Sequence, residues 1–157
     1  MRLEYFEMID RVESFDPQTQ TLIARATVPK TSPVFEGHFE GYPLVPGVLL
    51  IETMAQASGF LIMGLNAMGA MPFLASVEKA KLRRFVEPER VLTITARMAH
   101  EGSGYCVTGT AITVDGGPIC DAQLMFRLMP FPAALESVMR TQAKRIGLEL
   151  RHAGATP

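Results

Sequence analysis

Glu52 and Gln56 stand four residues apart in VPGVLLIETMAQASGFLIMG, residues 45–64, where every other residue is apolar or small. At that spacing both side chains leave one face of a helix. A carboxylate among apolar residues must be paired, neutralised or open to a cavity, because burying it alone is costly. His38 lies fourteen residues before Glu52, in the glycine-rich turn FEGHFEGYP, where a side chain can be presented to a cleft. Imidazole titrates near about 6.5 and suits a base at neutral pH, whereas a desolvated carboxylate keeps its proton and suits an acid. Together they could take a proton from one atom and deliver one to another. Each residue alone has a plainer reading. Glu52 could be a core carboxylate bonded to backbone, and His38 a structural histidine.

The elements that must position them follow from the pattern. TLIARATV alternates and is rich in β-branched residues, which predicts a strand after the Asp16-Pro17 turn. Pro33, Gly37, Gly41, Pro43, Pro46 and Gly47 punctuate a long loop, and a helix starts at about Pro46 to Val48 and fades near Asn66 to Gly69. After Pro72 come FLASVEKAKLRRFV, RVLTITARMAHE, GYCVTGTAITVDGG and PICDAQLMFRLMP, short strands with turn signals between them, as in an antiparallel meander. A helix apolar all round must be wrapped, and a curved sheet of five or six strands can wrap it. This is an α+β arrangement of the hotdog kind, expected to occupy residues 1–132. Leu135, Val138, Met139, Ile146 and Leu150 recur at helical spacing, so residues 133–157 read as an amphipathic helical tail packed on the sheet or on a partner.

With 157 residues, 48% hydrophobic and 20% charged, the chain is sized for one soluble domain. Its net charge of −1 argues against recognising nucleic acid or an anionic membrane through overall charge. Val48 to Met71 is long enough to span a bilayer with Glu52 its only charge, but Gly59, Gly64 and Gly69 and the lack of flanking charge asymmetry favour a buried helix. MRLEYFEMID has no apolar signal core, and Cys106 and Cys120 show no metal spacing, so a cytoplasmic protein with reduced, buried thiols is expected. His38, His100 and His152 do not have the spacing of a metal triad, and no nucleotide fingerprint occurs.

The segment H-F-x-G-x-P-x-x-P-G-V-L-x-x-E-x-M-A-Q resembles the signature of the β-hydroxyacyl-acyl-carrier-protein dehydratases of the FabZ type. Here it comprises His38, Phe39, Gly41, Pro43, Pro46, Gly47, Val48, Leu49, Glu52, Met54, Ala55 and Gln56, and the similarity extends to MIDRV and VEKAKLRRFVEP. The resemblance implies a hotdog fold, homodimers with trimers of dimers as a further level, and an active site shared between two subunits. It implies dehydration of 3-hydroxyacyl-acyl-carrier-protein to the trans-2-enoyl product in fatty acid biosynthesis, with specialised long-chain or lipid A acyl pathways open as well. His38 would then take the C2 proton, Glu52 of the neighbouring subunit would let water leave, and Gln56 would orient Glu52. Free N–H groups at Gly47 and Val48, backed by the helix dipole, would stabilise charge on the thioester oxygen. The related dehydratase-isomerases carry Asp at position 52 and Trp at 55, so isomerisation is not favoured. Glu40 stands where the family has proline, which loosens φ at the catalytic turn and puts a carboxylate near His38.

Lys79, Lys81, Arg83 and Arg84 form the densest basic cluster, either a solvated strand face or a docking patch for the acidic carrier protein. The resemblance favours docking. No cofactor beyond the substrate's own pantetheine arm is implied. The rival readings are a hotdog acyl thioesterase and a non-catalytic acyl-thioester-binding protein.

Overall fold

The computed structural model describes residues 1–148; Leu150, Arg151 and His152 lie outside the described residues. A 3-10 turn at Leu3–Tyr5 leads into β1 (Arg11–Asp16) and β2 (Thr21–Thr27). The punctuated loop holds one short helix, α1 (Pro33–Glu36), capped by the Ser32 hydroxyl accepting from Val34 N–H. Next comes α2 (Gly47–Leu65), followed by β3 (Met71–Leu82), β4 (Val91–Gly102), β5 (Tyr105–Val114), β6 (Gly117–Met129) and α3 (Ala133–Arg145).

The six strands make one antiparallel sheet in the order β1-β2-β4-β5-β6-β3. The meander expected after Pro72 holds for β4, β5 and β6. β3 instead pairs with β6, because α2 carries the chain across the sheet before β3 begins. The Asp-Gly-Gly signal becomes a two-residue hairpin in which Asp115 (φ 51°) and Gly116 (φ 75°) are both left-handed, the twist that suits right-twisted strands.

The sheet wraps α2. Every residue from Ala57 to Met63 is buried, nearly two full turns, so this stretch is enclosed on all sides. That accounts for a helix long and apolar enough to cross a membrane packed inside a sheet instead. Fully buried Leu61, Ile62, Ile94 and Leu124 each contribute roughly 1.5–3 kcal/mol of apolar burial. The polar groups admitted to this core are paired. Thr53 donates to Leu49 O, and the Ser58, Thr108 and Thr110 hydroxyls bond one another at 2.7 and 2.9 Å. Gly64 is where Phe15 presses on the helix; an added Cβ would fall 2.8 Å from the ring.

The tail forms the expected helix and turns most of the expected face inward, with Ala143 buried and Val138 left out. Ala143 and Ile146 are buried and Leu135 and Met139 half-buried, whereas Val138 is exposed. A bulge in β1 between Val12 and Ser14 interrupts pairing with β2, and Val12 N–H donates to Ile146 O at 2.7 Å. Arg145 reaches Glu7 at 3.0 Å. α3 is therefore tied to the N-terminal segment at its C-terminal end.

Candidate active site

His38 is held by Leu44 and Phe35, its backbone N–H donating to Phe35 O at 3.3 Å. Leu44 N–H donates to His38 O at 2.9 Å, and His38 Nδ1 lies 3.0 Å from Leu44 O. A carbonyl oxygen can only accept, so Nδ1 carries the proton of the neutral ring and Nε2 keeps its lone pair. The His38–Phe39 peptide is cis, and the two rings lie 4.4 Å apart. The histidine is half-buried. Glu40, next along the turn, is exposed and lines a surface groove with Lys30, Thr31 and Glu36.

Gln56 is committed on every side. Its Nε2 donates to Glu52 Oε1 at 2.8 Å and to Phe6 O at 2.6 Å, and its Oε1 accepts from Met8 N–H at 3.1 Å. Two acceptors on one side and a donor on the other fix which way the amide points. One carboxylate oxygen of half-buried Glu52 is thereby held and the other left free. Glu52, Ala55, Gln56, Gly59, Phe60 and Met63 form a stripe along one face of α2, and that stripe floors a cavity of about 330 Å³. Its walls come from Phe6, Glu7 and Ile9, from Met71, Pro72 and Leu74 at the start of β3, from Phe126, and from α3. Glu52 thus opens on a slot. His38 does not line it, and no hydrogen bond joins the two within one chain.

At the start of α2, Pro46 is the N-cap and supplies no side-chain hydrogen bond. The N–H groups of Gly47 and Val48 have no acceptor among the described residues, and Val48 is 71% exposed. Gly47 packs under Leu82, whose Cδ1 would lie 2.5 Å from an added Cβ. Val45 N–H donates to Val86 O at 2.8 Å, which fastens the helix entry to the segment after β3.

The basic cluster divides. A bulge between Glu78 and Lys81, with Lys79 at φ 51°, breaks the simple alternation that would align positions 79, 81 and 83. Lys79 and Lys81 still border one shallow surface hollow with Asp121, the residue that Arg83 pairs with, just past the end of β3. Arg84 sits apart, beside Gly117 in a hollow with Phe85 and Arg90. Both cysteines are free, and burial pushes each thiol up to about 11. No metal-binding cluster of His, Cys, Asp and Glu occurs among the described residues.

Sequence reasoning gave no role to Leu44, whose contribution is a backbone carbonyl, or to Phe6 and Met8, which hold Gln56 by main-chain atoms. Side-chain identity carries no signal for such contacts.

One antiparallel sheet wrapped round an apolar helix, with a carboxylate on that helix opening on a slot, is the architecture of a hotdog-fold protein. The chain belongs to the FabA-like family, whose domain model matches residues 2–123, and its curated relatives place it with the FabZ-type dehydratases. It is 39% identical over 122 residues to the 3-hydroxyacyl-[acyl-carrier-protein] dehydratase FabZ of Vibrio atlanticus, covering 76% of this chain and 81% of that one. It is 38% identical over 126 residues to that of Shewanella pealeana, covering 76% and 80%. Solved structures share the fold at lower identity. A hypothetical thioesterase from Streptococcus pneumoniae with coenzyme A superposes with a TM-score of 0.61 at 18% identity, covering 78% of this chain and 90% of that one. A mutant thioesterase from Pseudomonas aeruginosa gives 0.61 at 21%, covering 77% and 81%.

Proposed function

We propose that this protein dehydrates 3-hydroxyacyl thioesters on acyl carrier protein to trans-2-enoyl thioesters in fatty acid biosynthesis, in the cytoplasm, as a dimer with two shared sites. What supports the reading is a carboxylate held by Gln56 and opening on an apolar slot, in a chain of the FabZ type that also carries a histidine in a fixed tautomer. The two free, buried cysteines suit a reducing compartment.

His38 Nε2 takes a proton from C2 of the substrate. The carbon pair left behind forms the C2–C3 double bond as the C3–O bond breaks, and the departing hydroxyl takes a proton from Glu52 to leave as water. The proton on His38 then returns to Glu52 through solvent, so the enzyme is unchanged and only water is released. Gln56 holds Glu52 Oε1 and directs Oε2 at the hydroxyl. The N–H groups of Gly47 and Val48 receive the thioester oxygen as enolate charge builds. Because His38 lies outside the slot of its own chain, each slot is completed by His38 of the partner subunit. Two features support a dimer. β3 is an edge strand with exposed Phe73 and Val77, and such an edge invites pairing with a second chain. A trimer of dimers is a further level compatible with this unit.

Carrier-protein docking on Lys79, Lys81, Arg83 and Arg84 belongs to the same proposal. Arg83→Glu with Arg84→Glu is expected to raise KM for carrier-linked substrate and leave short pantetheine thioesters unaffected; equal loss on both would remove the docking role. The reaction itself is tested by incubating the protein with 3-hydroxyacyl carriers and following conjugated enoyl absorbance. Removal of a general acid or base costs about 10²–10⁴-fold, so His38→Ala and Glu52→Gln are each expected to lose that much in kcat. Release of free acid in place of enoyl thioester would instead indicate thioester hydrolysis.

A further inference from the structure

The slot above Glu52 has a far end, and that end is built by a segment beyond the family's matched span. The match stops at residue 123, and α3 begins at Ala133. Along α2 the floor runs from Glu52 to Met63, eleven residues or about 16 Å. Arg145 pairs with Glu7, which lies between the two residues bonded to Gln56, so the C-terminal end of α3 sits near the carboxylate. Its N-terminal end follows β6, whose Met129 pairs with Met71 of the slot wall. α3 therefore runs antiparallel to α2 over the slot, and Leu135 and Met139 stand at the end remote from Glu52.

That end is apolar and adaptable, with Met63, Met71 and Met139 contributing flexible thioethers. A substrate whose 3-hydroxyl meets Glu52 must place the rest of its acyl tail somewhere, and the slot continues directly from that carboxylate. At about 330 Å³ its volume is at the small end of the range for ligand pockets, so it holds a tail of limited length. We propose that α3 closes the acyl slot and that Leu135 and Met139 set the longest tail the enzyme accepts. The proposal rests on the dehydratase reading, because that reading places the hydroxyl at Glu52.

The test is the ratio of kcat/KM for a long-chain to that for a short-chain 3-hydroxyacyl carrier. Met139→Phe and Leu135→Phe, which fill the far end, are expected to lower that ratio about tenfold or more, a difference of roughly 1.4 kcal/mol in discrimination. Met139→Ala is expected to raise it. Variants that fold, as judged by circular dichroism, and leave the ratio where the unaltered protein has it would overturn the proposal. If the phenylalanine variants fail to fold, Met139→Ala and Leu135→Ala decide it by the same ratio. Should the unaltered protein dehydrate no 3-hydroxyacyl carrier of any length, the dehydratase reading falls. The slot is then tested alone with a fluorescent medium-chain fatty acid. Binding weakened about tenfold by Met139→Phe upholds α3 as the wall, and no binding, or binding indifferent to position 139, ends it.

Discussion

In the proposed reaction His38 has only one nitrogen with which to act as a base. Leu44 O accepts the hydrogen bond from Nδ1–H, so a neutral ring presents Nε2, and no side-chain change at position 44 removes that carbonyl. Gln56 is the more exposed weakness. Gln56→Leu would free Glu52, leave Phe6 O to solvent and take the partner from Met8 N–H, a loss of about 0.5–1.5 kcal/mol for each hydrogen bond removed. As a positioning residue it should lower kcat about tenfold or more with KM little changed, whereas purely structural damage would reduce the active fraction and leave the remaining enzyme's pH profile intact. Steady-state kinetics across pH, with a thermal melt alongside, separate the two. The cysteines give a simpler expectation. Burial raises both thiols to about 11, so a thiol reagent at neutral pH should label the folded protein slowly and label it fully once denatured. Rapid labelling of the native state would contradict the enclosed core.

The long helix, its start near Pro46, the strands after Pro72 and the existence of the tail helix were all legible, because each rests on local periodicity or turn chemistry. The same reading saw that Glu52 and Gln56 share a face. What lay beyond it was relational. The jump of β3 to the far edge depends on where α2 carries the chain, and the burial of Ala143 rather than Val138 depends on what α3 packs against. The bulge at Lys79 turns a run of alternating cations into a divided one through a left-handed residue that no periodicity marks. The tie between α3 and the N-terminal segment belongs to this scale and has a pH dependence. The hydrogen bond from Arg145 holds the Glu7 carboxyl below the usual carboxylate range. Its stabilisation is therefore complete above the ordinary carboxylate pKa and is lost as pH falls through the lowered one. Hydrogen-exchange protection over residues 133–145, measured relative to the intrinsic amide rate at each pH, should fall in acid, and Arg145→Ala should bring that lower protection to neutral pH. Exchange indifferent to both would mean that Ile146 and Ala143 alone hold the helix. Gly64→Ala, which drives a methyl into Phe15, should cost about 1–3 kcal/mol in a thermal or denaturant melt.

As a whole molecule the chain keeps the two groups of the proposed chemistry in separate places. The slot with Glu52 lies between α2 and α3, and the histidine turn lies outside it. β3 offers an unpaired strand edge, and exposed Phe73 and Val77 lie along it. In the proposed dimer each slot takes His38 of the partner subunit, so a single chain should not turn over. The direct measurement is complementation between two dead variants, His38→Ala and Glu52→Gln, co-expressed in one cell. Random pairing makes half the dimers hybrids, and each hybrid keeps one site with both groups intact, so about one quarter of normal dehydratase activity should return. Activity no higher than that of either variant alone, with hybrid dimers demonstrably present, would show that the two groups act within one chain and contradict the shared site.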